Sequence, residues 1–482
     1  MQTQKNIFYN VLLALSQVLF PLITFPYIAR VLGPENIGLY NFSESYARYF
    51  ALVAALGISV YGVREIAKKQ SNPKALAFTF VEIFLINLIA TCLLSVVYIG
   101  TILEVDKLAA YPDLFYWSFA FFFLQVFVLE WFFTGINQFK FIAVRFFFIR
   151  LLFVVALFLF IKTSGDYVLY MKMQVILNFF LGLINFIYLR KFVDLKQVQF
   201  SQLNLKQHLR PLFILFLTIF SISIYLHFDT VLLGMLADNE SVGYYSASLK
   251  LIKIIIAVLA AITAAMFPTM VKLFEQGEVE EFKKMLQQAF ELVISIGIPT
   301  AVLVCILAPE IVYLLFGSNF NLAILPLRIT TPLIIIVSLS TIYGFQILSV
   351  HAKDKQILMA AIAGMVFSLA LSFIIIPIYK QNGAAVTILL TEALVLSIFI
   401  FFSRKIIKIN NSIQFLLKEM IYALPYCIIT FIIKEQSYTP IITVAAILIF
   451  SGSWFLLLHF KILKTSVVQS FVSGIILKRI KK

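Results

Sequence analysis

Charge is scarce in this chain. Asp, Glu, Lys and Arg make up 13% of its 482 residues, hydrophobic residues make up 62%, and the mean hydropathy is +1.00. A soluble domain carries about 25% charged residues, so this composition excludes one. Cysteine is nearly absent. Cys92, Cys305 and Cys427 are three, widely separated, and each lies in an apolar run. That pattern excludes a disulfide framework and a cysteine metal site, and leaves three small hydrophobes. Long polar stretches are missing too, so no soluble catalytic domain fits between the apolar runs. There is no glycine loop followed by Lys and Ser/Thr, no His-Glu-x-x-His and no Cys-x-x-Cys. Those absences exclude the usual phosphate cradle and the common zinc sites. Neither an enzyme nor a resident cofactor is expected.

Long apolar runs are what the chain does have. A stretch near 20 residues spans a bilayer as a helix, and backbone in lipid must satisfy its own hydrogen bonds. Fourteen candidate spans fall near 7–30, 39–63, 78–103, 113–134, 142–162, 168–190, 211–236, 243–267, 288–316, 324–350, 357–378, 384–403, 416–433 and 440–460. They are too long and too continuous for the strands of an outer-membrane barrel. The first run carries Pro21 and Pro26 and no cleavage site follows it, so it reads as a helix rather than a signal peptide. The expectation is an all-α polytopic membrane protein.

The net charge of +15 is a topology signal. With the N-terminus cytoplasmic, the inner loops hold 27 of the 38 Lys and Arg residues and the outer loops hold five. This bias follows the positive-inside rule and places both termini in the cytoplasm. It also removes any need for nucleic acid as a partner.

Two stretches look like one device written twice. Leu32-Gly33 and Gly38-Leu39-Tyr40 precede Arg48; Leu233-Gly234 and Gly243-Tyr244-Tyr245 precede Lys253. In each, a cation follows the second glycine by ten residues. A polar linker divides the copies. The expected organisation is a six-helix lobe over 1–192, a cytoplasmic linker over 193–210 and a second six-helix lobe over 211–405. Two further helices follow over 406–464, then a basic amphipathic tail over 465–482 on the anionic inner leaflet. An even number of helices per lobe makes the repeat a parallel one.

A cation within a span costs about 2.5–3.5 kcal/mol on insertion scales, so it needs a partner or a purpose. Glu44 and Arg48 stand at i,i+4 and can pair along one helix face. Asp229 and Lys250 lie equally far from a turn centred near Asn239, which places them at one depth, with Lys253 about 4.5 Å deeper. Arg48 and Lys253 are then expected to face one cavity. His227 reads as a packing residue. Glu82, Glu130 and Glu392 sit near span ends and face water or neighbouring helices. Arg150, Lys172 and Arg328 have no motif around them.

At this point the sequence resembles a family. The stretch Ile28-Ala29-Arg30-Val31-Leu32-Gly33-Pro34-Glu35, running into Gly38-Leu39-Tyr40-Asn41-Phe42, is similar to a signature of bacterial polysaccharide (O-antigen-type) flippases. These belong to the multidrug/oligosaccharidyl-lipid/polysaccharide exporter superfamily. The segments Leu56 to Ala67, Phe228 to Gly234, Val242 to Ala247, Phe267-Pro268, Asn382 to Ala385 and Thr391-Glu392 add to the resemblance. It implies two six-helix bundles and alternating access in the bacterial cytoplasmic membrane. The cargo would be an undecaprenyl-diphosphate-linked oligosaccharide, with a polysaccharide polymerase or assembly proteins as further partners. Cavity arginines of related lipid II flippases meet the diphosphate. Arg30 and Arg48 match two of them, while Lys250 and Lys253 stand shifted along the helix of the third. Asp229 and Glu44 are the candidates for H+ or Na+ coupling, unless the cargo gradient suffices. The competing readings are a cation-coupled multidrug exporter on the same fold and a non-transporting scaffold of a polysaccharide assembly complex.

Overall fold

The computed structural model describes residues 2–407, 409, 412–436 and 439–458. Among these, every regular element is helical. In order they are α1 Gln2–Ala55, α2 Ile58–Lys69, α3 Pro73–Glu104, α4 Asp106–Ala109, α5 Pro112–Leu124, α6 Glu130–Gly135, α7 Phe139–Phe160, α8 Tyr167–Leu189, α9 Lys206–His227 and α10 Asp229–Leu236. Then come α11 Asn239–Glu275, α12 Val279–Ile306, α13 Ala308–Phe316, α14 Ile324–Thr330, α15 Leu333–Thr341, α16 Asp354–Ser403, α17 Ser412–Tyr422, α18 Leu424–Glu435 and α19 Pro440–Leu457. A π-helical segment, Ile342–Ser349, follows α15. The expected amphipathic tail at 465–482 lies outside the described residues.

The chain is a multi-pass helical membrane protein. Ten helices are long and apolar enough to cross a membrane, or twelve if two bent pairs count as single spans. That is short of the fourteen expected. Two of the helices are interrupted, however. α1 breaks at Gly33 (φ 76°), with Pro34 starting the next helical stretch. Only glycine adopts that φ without strain, and proline suits a first helical position. α16 breaks at Lys380 (φ 48°, ψ −126°). At 1.5 Å per residue its 50 residues would run about 75 Å, more than twice a hydrocarbon core of about 30 Å.

The surface matches this reading. Leu93, Val96, Leu152, Ile378 and Ile449 are all more than 65% exposed. Lipid tails are as apolar as leucine, so exposed aliphatics carry no hydrophobic penalty there. Hydroxyls return to their own helices: Thr91 to the Asn87 carbonyl, Ser221 to Leu217, Ser338 to Ile334 and Thr430 to Tyr426. With no water available, the i−4 carbonyl is the nearest acceptor.

The chain forms two compact units, Met1–Gly243 and Tyr244–Lys482. In the first, α1 packs on α3, α5, α7, α8 and α10, and α2 packs on α3 and α6. Its core is aromatic: Phe42, Tyr46, Phe50, Tyr98, Phe115 and Phe122 stack within one layer. Two phenols in it are satisfied, Tyr46 donating to Thr101 Oγ1 at 2.9 Å and Tyr98 meeting Ser118 Oγ at 2.7 Å. In the second unit, α16 packs on α14, α15 and the π-helical segment, and α12 packs on α15, α17 and α18.

The linker is clamped to the first unit. The Glu82 carboxylate, on α3, accepts from the Asn204 backbone N–H at 2.7 Å, from Gln207 at 3.1 Å and from His208 Nε2 at 2.9 Å. The other ring nitrogen of His208, Nδ1, lies 2.8 Å from the Tyr61 hydroxyl. Glu82, His208 and Tyr61 are 5%, 5% and 4% exposed. Glu82 therefore faces neighbouring elements, not water.

Candidate functional site: charged and neutral polar groups among the membrane helices

The first unit presents Arg48 in the second stretch of α1. Its Nη2 and Nε both bond Glu44 Oε1, at 2.6 and 3.1 Å, one helical turn away. The guanidinium lies over the Phe121 ring, 5.1 Å from its centroid. Even so, 55% of the Arg48 side chain is accessible. It lines a cavity of about 270 Å³ whose wall also includes Asn87, Thr91, Phe122 and Gln125. The i,i+4 spacing produces the ion pair, and the aromatic layer beneath it fixes the helix face that reaches the cavity.

A second cavity of about 340 Å³ shares Ala55, Asn87, Gln125 and Val126 with the first and extends to Ser59, Glu130, Trp131 and Thr134. It is lined by a broken span. Between α5 and α6 the helix tightens to 3-10 geometry over Gln125–Phe127 and turns at Leu129 (φ 46°). The freed Phe127 and Val128 carbonyls accept from Asn185 Nδ2. Asn185 Oδ1 in turn accepts from the buried Arg145, which also bonds Glu130 Oε1 at 3.2 Å. Irregular backbone in a membrane is tolerated where protein or a cavity re-satisfies it, and here both occur.

At the far end of α1's second stretch, backbones meet closely. A Cβ on Gly38 would overlap the Asn239 carbonyl, and one on Gly243 would overlap the Pro34 carbonyl. The second glycines of both sequence copies are therefore the residues that let these helices touch. Nearby, Lys107 donates to the Met235 and Ala237 carbonyls. Burial lowers the Lys107 ammonium from its ordinary pKa, with Asp238 acting in the opposite direction.

The other expected residues are placed as follows. Arg30 is exposed on α1, three residues before the Gly33 break. Asp229 begins α10 and is 4% exposed, accepting from the Thr230 N–H at 2.7 Å and its hydroxyl at 3.3 Å. It belongs to the first unit. Lys250 and Lys253 are partly buried on α11 and belong to the second unit. The side chain of His227 lies outside the described residues.

Three groups carry more than the sequence reading gave them. Glu392 is not at a span end: it lies twelve residues past the Lys380 break, 3% exposed, in electrostatic contact with Lys253. The start of its apolar run was the available signal. Asn87 and Gln125 line both cavities, and as neutral amides they raise no charge signal. Arg150 and Lys172 sit over aromatic faces, Arg150 over Phe146 and Phe153 and Lys172 over Trp117. These contacts stabilise isolated cations in a low dielectric.

Broken and kinked helices beside cavities, on an all-helical membrane frame, are features that secondary transporters use at their binding sites. Solved structures agree on the fold. The chain is similar to "Lipid II flippase MurJ, inward closed conformation", with a TM-score of 0.64 at 15% identity, over 93% of this chain and 99% of that one. It is equally similar to an inward-facing multidrug resistance MATE family transporter of the MOP superfamily, with a TM-score of 0.64 at 16% identity, covering 83% and 97%. The chain shares its fold with these two structures.

The family model for "Polysaccharide biosynthesis protein" matches residues 3–274, more than half of the chain, and the chain belongs to that family. A MatE model matches residues 215–374. Among curated relatives, a "Putative O-antigen transporter" of Escherichia coli (strain K12) is 25% identical over 402 residues, covering 83% of this chain and 96% of the relative. One of Shigella dysenteriae is 24% identical over 394 residues, covering 81% and 98%.

Proposed function

We propose that this chain moves an oligosaccharide, linked through diphosphate to a polyprenyl carrier, from the inner to the outer leaflet of the bacterial cytoplasmic membrane. Alternating access is the mechanism, both termini are cytoplasmic, and a polysaccharide polymerase or assembly proteins are the further partners. Arg48 is the observation that carries the reading. A cation in the middle of a membrane helix, more than half accessible and opening on a polar cavity, is placed to meet an anionic group. Arg30, Lys250 and Lys253 are the further candidate cations. Lysine serves as a point charge where arginine offers a fork. A diphosphate and a glycan cannot cross hydrocarbon unaided, and compensating charge and hydrogen bonds lower that barrier while the polyprenyl tail stays in lipid. Glu44 and Asp229 are the candidate groups for proton or sodium coupling.

The test is leaflet translocation of lipid-linked oligosaccharide in proteoliposomes. Arg48→Ala and Lys253→Ala are each expected to slow it at least tenfold. Unchanged rates in both would remove the role of the cations. The MatE match favours a second reading, export of organic cations. Efflux of a lipophilic cation dye without lipid translocation would establish that reading instead, and activity in neither assay would leave the scaffold.

A further inference from the structure

We infer that the paired cavities of the first unit form a binding site for the sugar portion of the cargo, distinct from the cation that meets its diphosphate. This rests on the flippase reading above. Four observations carry it.

First, the two cavities adjoin. The two cavities, about 270 and 340 Å³, share the walls Ala55, Asn87, Gln125 and Val126. Arg48 stands at one end and Glu130 at the other. Ligand pockets commonly begin near 300 Å³, a size the two adjoining cavities exceed together. Second, the hydrogen-bonding side chains between those ends are uncharged, Asn87, Thr91, Gln125 and Thr134, set among apolar residues such as Leu52, Phe122, Ile58 and Leu129. Glu130 is already engaged by Arg145 at 3.2 Å. A cation site would need an available carboxylate there.

Third, the polar groups are held but not all used. Gln125 donates to Asn178 Oδ1 at 3.3 Å, which fixes its orientation. The Asn87 side chain is 8% exposed and lines both cavities. The Trp131 Nε1 is buried and has no partner. Buried donors and acceptors ordinarily find partners, and an unpaired one lining a cavity points to a ligand. Primary amides offer donor and acceptor side by side, which suits neighbouring hydroxyls of a pyranose. Fourth, the wall is a broken helix. Broken membrane helices mark substrate sites in transporters because their backbone departs from self-sufficiency only beside a cavity or protein.

The experiment compares two lipids on the purified chain in nanodiscs. One is bare undecaprenyl diphosphate. The other is the lipid-linked oligosaccharide fraction extracted from cells that express the chain. Asn87→Leu and Gln125→Leu are each expected to weaken binding of the glycosylated lipid at least tenfold, and Trp131→Phe about fivefold, with binding of the bare lipid unchanged. Arg48→Ala is expected to weaken both. Equal losses for the two lipids, or no loss for either, would overturn the sugar site.

Because a cavity variant can fail to fold, a second measurement uses the unaltered protein. A photoreactive diazirine on the sugar is expected to label α3 around Asn87 or the Gln125–Thr134 segment. Labelling confined to other helices would overturn the proposal. Labelling at those segments by a wild-type protein that moves no lipid would overturn the flippase reading and leave the site standing.

Discussion

In the first unit Arg48 finds its carboxylate on its own helix, at Glu44, one turn away. In the second, Lys253 on α11 lies within electrostatic range of Glu392 on a different helix, α16. The Arg48 pair is open to a cavity, with 55% of the arginine and 17% of the glutamate side chain accessible, whereas Glu392 is 3% exposed. An intrahelical pair asks nothing of tertiary structure and forms as soon as the helix does. A cross-helix pair exists only when α11 and α16 are assembled. The first therefore holds a cation ready for a ligand; the second is expected to couple two helices through their charges. Exposed i,i+4 pairs contribute only about 0.3–0.5 kcal/mol, while breaking a buried pair costs about 3–5 kcal/mol by leaving one charge uncompensated.

The contrast can be broken at several points. The largest effect is expected at the two glycines. Gly38→Val and Gly243→Val should each cost about 3 kcal/mol or more, because backbone, not a flexible side chain, occupies the space. Thermal unfolding in detergent would show it, with Gly100→Ala, which meets nothing within 4 Å, as the unaffected control. Markedly unequal losses would mean that the two glycines are not equivalent devices.

Next comes Lys253→Ala, expected to destabilise by about 3 kcal/mol and to be substantially rescued by adding Glu392→Gln. A double-mutant cycle measures the coupling, and additivity would dissolve the proposed tie between α11 and α16. Glu82→Ala follows, at about 1–3 kcal/mol, since Asn204, Gln207 and His208 lose a shared acceptor. Chemical denaturation reads that loss, and a value within error of wild type would show that the clamp contributes nothing. The smallest effect belongs to the cycle of Arg48→Ala with Glu44→Gln, with a coupling of about 0.5 kcal/mol or less. A coupling as large as that of the second unit would erase the distinction drawn here.

Much of this was legible in the chain. The apolar runs announced a helical membrane protein, because lipid leaves the backbone no other economical arrangement than helices. Gly33-Pro34 announced a break, and the spacing of Glu44 and Arg48 announced their pair. What escaped was long-range or uncharged. Glu82 reads as a residue near a span end because its donors lie 122 to 126 positions away in a linker that looks merely polar. Asn87 and Gln125 escaped because a neutral amide disturbs hydropathy little. Glu392 was set aside as a span-end residue, although its run begins well before it. The broken helix at Leu129 carries no proline or glycine, since Asn185 supplies from another helix what the break removes.

The clamp on Glu82 has a consequence for how the protein is made. His208 follows Glu82 by 126 residues. At about 5–20 residues per second, synthesis takes roughly 6–25 s to cover that distance. For most of that interval α3 is complete, but its carboxylate lacks its native donors. The first unit reaches its finished polar core only once the ribosome has released the linker, so biosynthesis itself sets the moment at which α3 and the linker become joined.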